Sequence, residues 1–169
     1  MTRNRWALLA GAATAFVASL GWSVAAAKPS KPLDWVALNP AFAGATFVND
    51  ASTCATCHSE YMDAYGKTKH AKAFAARPPA GAGECGSCHG PRSKHIENPS
   101  AELKIVEARS QSAVCLQCHE GGARLGWKAG AHHTGDVSCT SCHAVMAPKS
   151  ERALLKTATA AETCFSCHA

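Results

Sequence analysis

The chain has 169 residues, of which 47% are hydrophobic and 17% charged, and its formal charge is +5. The length suits one domain. The residues are rich in Ala and Gly and poor in Ile and Leu, which excludes a conventional apolar core of matching size, and the positive charge belongs to the bare polypeptide alone.

Residues 1–27 read as a secretory signal peptide. Arg3 and Arg5 form the charged n-region, residues 6–20 are apolar and uncharged, and Ala25-Ala26-Ala27 supplies an A-x-A cleavage site before Lys28. The apolar run falls short of the ~20 residues of a membrane span, so cleavage is expected rather than a retained anchor. The expected mature chain is then 28–169, or 142 residues (169 − 27). Residues 28–50 hold Pro29, Pro32, Pro40 and Gly44 with no lasting periodicity, which predicts an irregular N-terminal arm. Its Trp35, Phe42 and Phe47 are expected to lie against the first cofactor.

From residue 51 onward one pattern recurs five times. It stands as Cys54-Ala55-Thr56-Cys57-His58, Cys85-Gly86-Ser87-Cys88-His89, Cys115-Leu116-Gln117-Cys118-His119, Cys139-Thr140-Ser141-Cys142-His143 and Cys164-Phe165-Ser166-Cys167-His168. All ten cysteines lie in these motifs. C-x-x-C-H is the attachment signature of c-type haem: two thiols bond the porphyrin vinyl groups, and the adjoining imidazole takes the iron from the proximal side. One helical turn brings both sulfurs to one porphyrin edge. A zinc ribbon needs a closed tetrahedral set and no histidine at a fixed offset, and a thioredoxin-like motif needs a βαβ setting. Neither reading, nor a disulfide scaffold, explains five histidines at one register.

The elements between motifs are short. Thr53 or Ser52 is the expected N-cap of the first motif's helix. Residues 59–77 read as a helix interrupted by Gly66 and ended by Pro78-Pro79, and residues 80–84 as a Gly-rich turn. Residues 100–108 read as a short helix capped by Ser100, and residues 111–120 as a helix stopped by Gly121-Gly122. Residues 124–135 and 145–150 read as loops, and residues 151–161 as the last helix. The fold class is therefore mainly α with much irregular chain, with short helices and loops wrapped around a closely packed row of haems. About 28 residues per haem leave no room for a separate protein core. Cleavage removes Arg3 and Arg5 and takes the charge from +5 to +3, while five haems add about −5 oxidised and about −10 reduced through their propionates. The holoprotein is expected to be acidic, so the basic chain is no argument for nucleic-acid binding.

Five proximal histidines, His58, His89, His119, His143 and His168, leave His70, His95, His132 and His133. His70, His95 and His132 are the expected distal iron ligands and His133 is a further candidate, since imidazole is the commonest metal ligand. Four cannot serve five irons, so one iron must take another ligand. Met62 and Met146 are the methionines after residue 27, and apolar packing is the reading given to both.

With these residues in view, the chain resembles the first half of the periplasmic decahaem cytochromes of the MtrA/DmsE type. The resemblance runs through Cys54 to His58, Lys69-His70-Ala71-Lys72, Cys85 to Pro91, Ser93-Lys94-His95, Val114 to Glu120 and His132 to His143. It is similar also to the pentahaem electron donor of periplasmic nitrite reductase. The resemblance implies bis-histidine haems, with His70, His95 and His132 at distal positions. The decahaem proteins continue past the point where this sequence stops, so a truncated conduit module is expected, with a complete pentahaem as the alternative. The function implied is a periplasmic electron relay through five haem c groups. Its donor is expected to be a quinol-linked membrane cytochrome or periplasmic redox carrier. Its acceptor is expected to be an outer-membrane barrel-linked cytochrome or periplasmic terminal reductase. The competing reading is a multihaem reductase acting on nitrite or a related oxyanion at an incompletely ligated haem.

Overall fold

A computed structural model describes residues 32–77, 79, 81–100, 103–124 and 126–168. The signal peptide assigned to residues 1–27 lies outside them. Among the described residues the regular structure is helical, joined by long irregular segments, and β-structure is limited to an isolated bridge between His143 and Leu155. No helix among them is long and apolar enough to cross a membrane.

The arm is more ordered than its composition predicts. Asp34 caps α1 (Trp35–Leu38) by accepting from Ala37 N–H, and Asn39 caps a 3₁₀ turn at Pro40–Phe42. Trp35 meets Phe42 and Phe47 edge-on, with ring centres 5.7 and 6.1 Å away. Phe42 is 1% exposed, and Asn39 Nδ2 donates to Lys104 O across 65 residues. Phe47 and Trp35 pack beside the second motif, close to Gly86 and Gly90.

The motif-bearing helices follow. In α2 (Ala51–Gly66) the N-cap is Asp50, not Ser52 or Thr53, because its carboxylate accepts from both Ser52 N–H and Ser52 Oγ–H. The helix breaks at His58 (φ −115°, ψ 33°). The helix expected over 59–77 ends at Gly66, and Thr68 then caps a separate α3 (Lys69–Ala76). Further on come α4 (Gly83–His89), α5 (Ser93–Glu97), α6 (Ala108–His119), α7 (Ala131–Thr134), α8 (Cys139–Cys142) and α9 (Ala160–Phe165).

Three expectations need correction. Residues 103–106 are not helical. Asn98 Oδ1 accepts from Ser100 Oγ, turning the chain away, and Gln111 Nε2 donates to Ile105 O and Val106 O, so α6 starts only at Ala108. The loop expected over 124–135 contains a 3₁₀ turn (Trp127–Ala129) and α7. The helix expected over 151–161 is a tight reversal instead. Ala153 and Leu154 take left-handed φ of 63° and 52°, and Leu154 is buried. Ala144 N–H donates to Leu154 O, and Lys156 N–H to Cys142 O. These tertiary bonds outcompete the helix, which begins only after the Thr159/Glu162 capping box.

The buried apolar side chains among the described residues are Phe42, Leu103, Leu116 and Leu154. Four such residues make a small apolar core for the described residues.

Candidate haem-binding site

The first motif runs up to the break in α2 at His58, and the other four sit at helix ends. The second and third close α4 and α6, the fourth is α8 with His143 as its C-cap, and the fifth spans the end of α9. In the fourth and fifth, the histidine N–H donates to the first cysteine's carbonyl (His143 to Cys139, 3.0 Å; His168 to Cys164, 2.9 Å). One helical turn therefore separates the attaching sulfur from the imidazole.

The motif helices touch in chain order: α2 on α4, α4 on α6, α6 on α8. Residues inside the motifs make the ties. Gln117 Nε2 donates to Ser87 O (3.1 Å), Cys139 N–H to the buried Ser112 Oγ (3.3 Å), and Thr140 Oγ1 to Gln111 Oε1 (2.5 Å). The first thiols of neighbouring motifs lie beside each other, Cys85 near Cys54 and Cys115 near Cys139. Four attachment points thus form one continuous run.

Burial, and then the neighbouring thiol, pushes both Cys85 and Cys115 up to about 12. Burial also raises Cys88. A thiol held neutral is a poor ligand for a metal ion. No three His, Cys, Asp or Glu side chains among the described residues converge as a metal-holding set. The closed tetrahedral arrangement of a zinc ribbon does not form among these residues.

The imidazoles are arranged in pairs. His58 stacks against His95 with ring centres 6.2 Å apart and planes within 16°. His119 faces His70 at 5.8 Å, with Nε2 atoms 3.5 Å apart. His168 faces His132 at 6.0 Å. A metal–imidazole bond is about 2 Å long, so two imidazoles on opposite sides of one metal put their ring centres roughly 6 Å apart. All three pairs have this spacing, and each joins a motif histidine to one outside the motifs. The residues fit a haem iron held from both sides.

Removal from water, then the nearby His119, lowers the pKa of His70, and removal from water followed by Arg124 and His143 lowers that of His119. Loss of hydration, then Arg92 and His58, does the same at His89. Each shift favours the neutral imidazole that binds metal.

His89 and His143 face no second imidazole at this spacing among the described residues. His143 is nevertheless oriented: its Nδ1–H donates to Ala153 O at 2.6 Å, from the strained turn at Ala153 and Leu154. That bond leaves Nε2 as the free ring nitrogen. His133 stands apart from the pairs, tilted against Trp127 at 6.2 Å, and lines a cavity of about 280 Å³ with Leu33, Arg109, Leu116 and Lys128. Neither His133 Nδ1 nor Trp127 Nε1 has a hydrogen-bond partner.

Two stretches, residues 78–124 and 132–169, match the family described as Doubled CXXCH motif. The chain belongs to this family. The matches span half the sequence and contain the second to fifth motifs. The protein is thus a multihaem c-type cytochrome with covalently bound haem c, and its chemistry is electron transfer. No curated protein matches the chain.

Motif reading did not reveal the glycines that let the arm approach the second motif. A Cβ on Gly86 would sit 2.9 Å from Phe47, one on Gly90 2.5 Å from Trp35, and one on Gly83 2.8 Å from the Asn49 backbone. The available signal was a glycine inside Cys85-Gly86-Ser87-Cys88-His89, with others on both sides.

Proposed function

We propose that this cytochrome relays single electrons in the periplasm through five haem c groups, one on each motif. The donor is a quinol-linked membrane cytochrome or small periplasmic carrier, and the acceptor an outer-membrane barrel-linked cytochrome or periplasmic terminal reductase. The observation that carries this reading is the set of three imidazole pairs at 5.8–6.2 Å. When bound, haem supplies a one-electron couple whose potential follows its axial ligands.

The chain's residues do the rest. Cys54 and Cys57, Cys85 and Cys88, Cys115 and Cys118, Cys139 and Cys142, and Cys164 and Cys167 anchor the groups. His58, His119 and His168 would hold an iron from one side, with His95, His70 and His132 as their partners, a closed coordination suited to electron transfer rather than substrate binding. His89 and His143 take the remaining two irons, with His133 as a candidate for one of them. The contact order of α2, α4, α6 and α8 keeps successive attachment points adjacent. Export is supported by the leader-like residues 1–27 and by c-type maturation outside the bacterial cytoplasmic membrane.

Rapid mixing of the holoprotein with reduced methyl viologen tests the proposal. The expected result is sub-second reduction of every haem and reoxidation by a soluble ferric chelate, with mostly low-spin ferric spectra beforehand. High-spin signals from most haems, together with steady nitrite turnover without an added reductase, would replace the relay with a reductase.

A further inference from the structure

We propose that the N-terminal arm, residues 34–47, is a positioning device for His95, and so sets the second axial ligand opposite His58. This rests on the pairing of His58 with His95 proposed above.

His95 lies in α5, a five-residue helix. A helix this short does not persist alone in water, and no side chain caps its N-terminus. The ring has no fixing bond either, because His95 Nδ1 is buried with no hydrogen-bond partner. Metal-bound histidines are usually oriented by a bond from that nitrogen, as His143 is by Ala153 O. The orientation of His95 therefore depends on the placement of α5.

That placement comes from the arm. Thr46 O accepts from Arg92 N–H (3.0 Å) and Ser93 N–H (3.2 Å), while Thr46 N–H donates to Ser93 Oγ (2.9 Å). These bonds satisfy donors at the start of α5 that have no partner within the helix. Lys94 Nζ donates to Ala43 O. The Arg92 guanidinium lies over the Phe42 ring, 5.5 Å from its centre, and Phe42 is fixed in turn by Trp35. Every tie runs between the arm and residues 92–94, one to three positions before His95.

The test compares ferric spin state across variants of the holoprotein. His95→Ala, as reference, should turn one haem high-spin. Phe42→Ala, which removes the buried ring under Arg92, should give the same one-haem signal at unchanged haem mass. Adding imidazole should restore low spin. Ser93→Ala combined with Lys94→Ala cuts only the side-chain ties and should give the signal even if Phe42→Ala fails to fold. Ser93→Thr keeps the hydroxyl and should stay low-spin. If the tie variants stay low-spin while His95→Ala shows its signal, the arm does not position His95. If His95→Ala itself stays low-spin, the pairing fails and the inference with it.

Discussion

Gly90→Ala is expected to destabilise the holoprotein by about 2–6 kcal/mol, against almost nothing for Gly121→Ala. Two costs add at Gly90. Its φ is +78° with ψ −172°, a backbone region essentially confined to glycine, which costs an L-residue of order 1–3 kcal/mol. Its Cβ would also come within 2.5 Å of the Trp35 ring, and forcing extra carbon into a packed contact costs about 1–3 kcal/mol. The ring has little freedom to yield, since its other contacts include Phe42 and Phe47. Gly121 has no atom within 4 Å of its would-be Cβ and no positive φ, so its substitution should fall within about 0.5 kcal/mol of neutral. Denaturation midpoints of the two variants, measured side by side, decide this. Equal midpoints would mean that the arm does not press on the second motif.

Much of the chemistry was legible in the sequence because haem attachment is a local, covalent pattern. Five C-x-x-C-H motifs can be read without knowing any tertiary contact, and the scarcity of buried apolar side chains among the described residues agrees with the composition. The imidazole pairing was not legible, because it is a through-space property. His70 and His119 are 49 residues apart, and nothing between them encodes which motif histidine each distal candidate meets. The misplaced helices share a cause. Residues 151–161 have helix-compatible side chains, but burial of Leu154 and the bonds to Ala144 and Cys142 pull them into a reversal. In a small fold with few buried apolar residues, a handful of tertiary bonds decides where each short helix starts.

The second large effect concerns the pairs. Replacing His70, His95 or His132 by Ala should each turn one ferric haem in five high-spin, and the triple variant three in five. Each histidine faces a different motif histidine, His119, His58 and His168 respectively, so the three signals should add as those of separate sites do. Haem content should not fall, because both thioethers and the proximal histidine remain. His133→Ala should leave these three signals untouched, since its ring lies against Trp127 and no motif imidazole. Electron paramagnetic resonance of the oxidised proteins reads the high-spin fraction directly. A variant with an unchanged spectrum removes its residue from the ligand set, and two variants with one shared signal would mean that the pairs are not independent.

The central claim is that every motif carries a covalent haem, and the intact mass of the denatured holoprotein tests it most directly. Covalent haem survives denaturation, whereas bound zinc and non-covalent haem do not. The expected mass exceeds that of the polypeptide by five increments of about 0.6 kDa each, roughly 3 kDa in all. A mass equal to the polypeptide alone, or fewer than five increments from fully matured protein, would contradict the account.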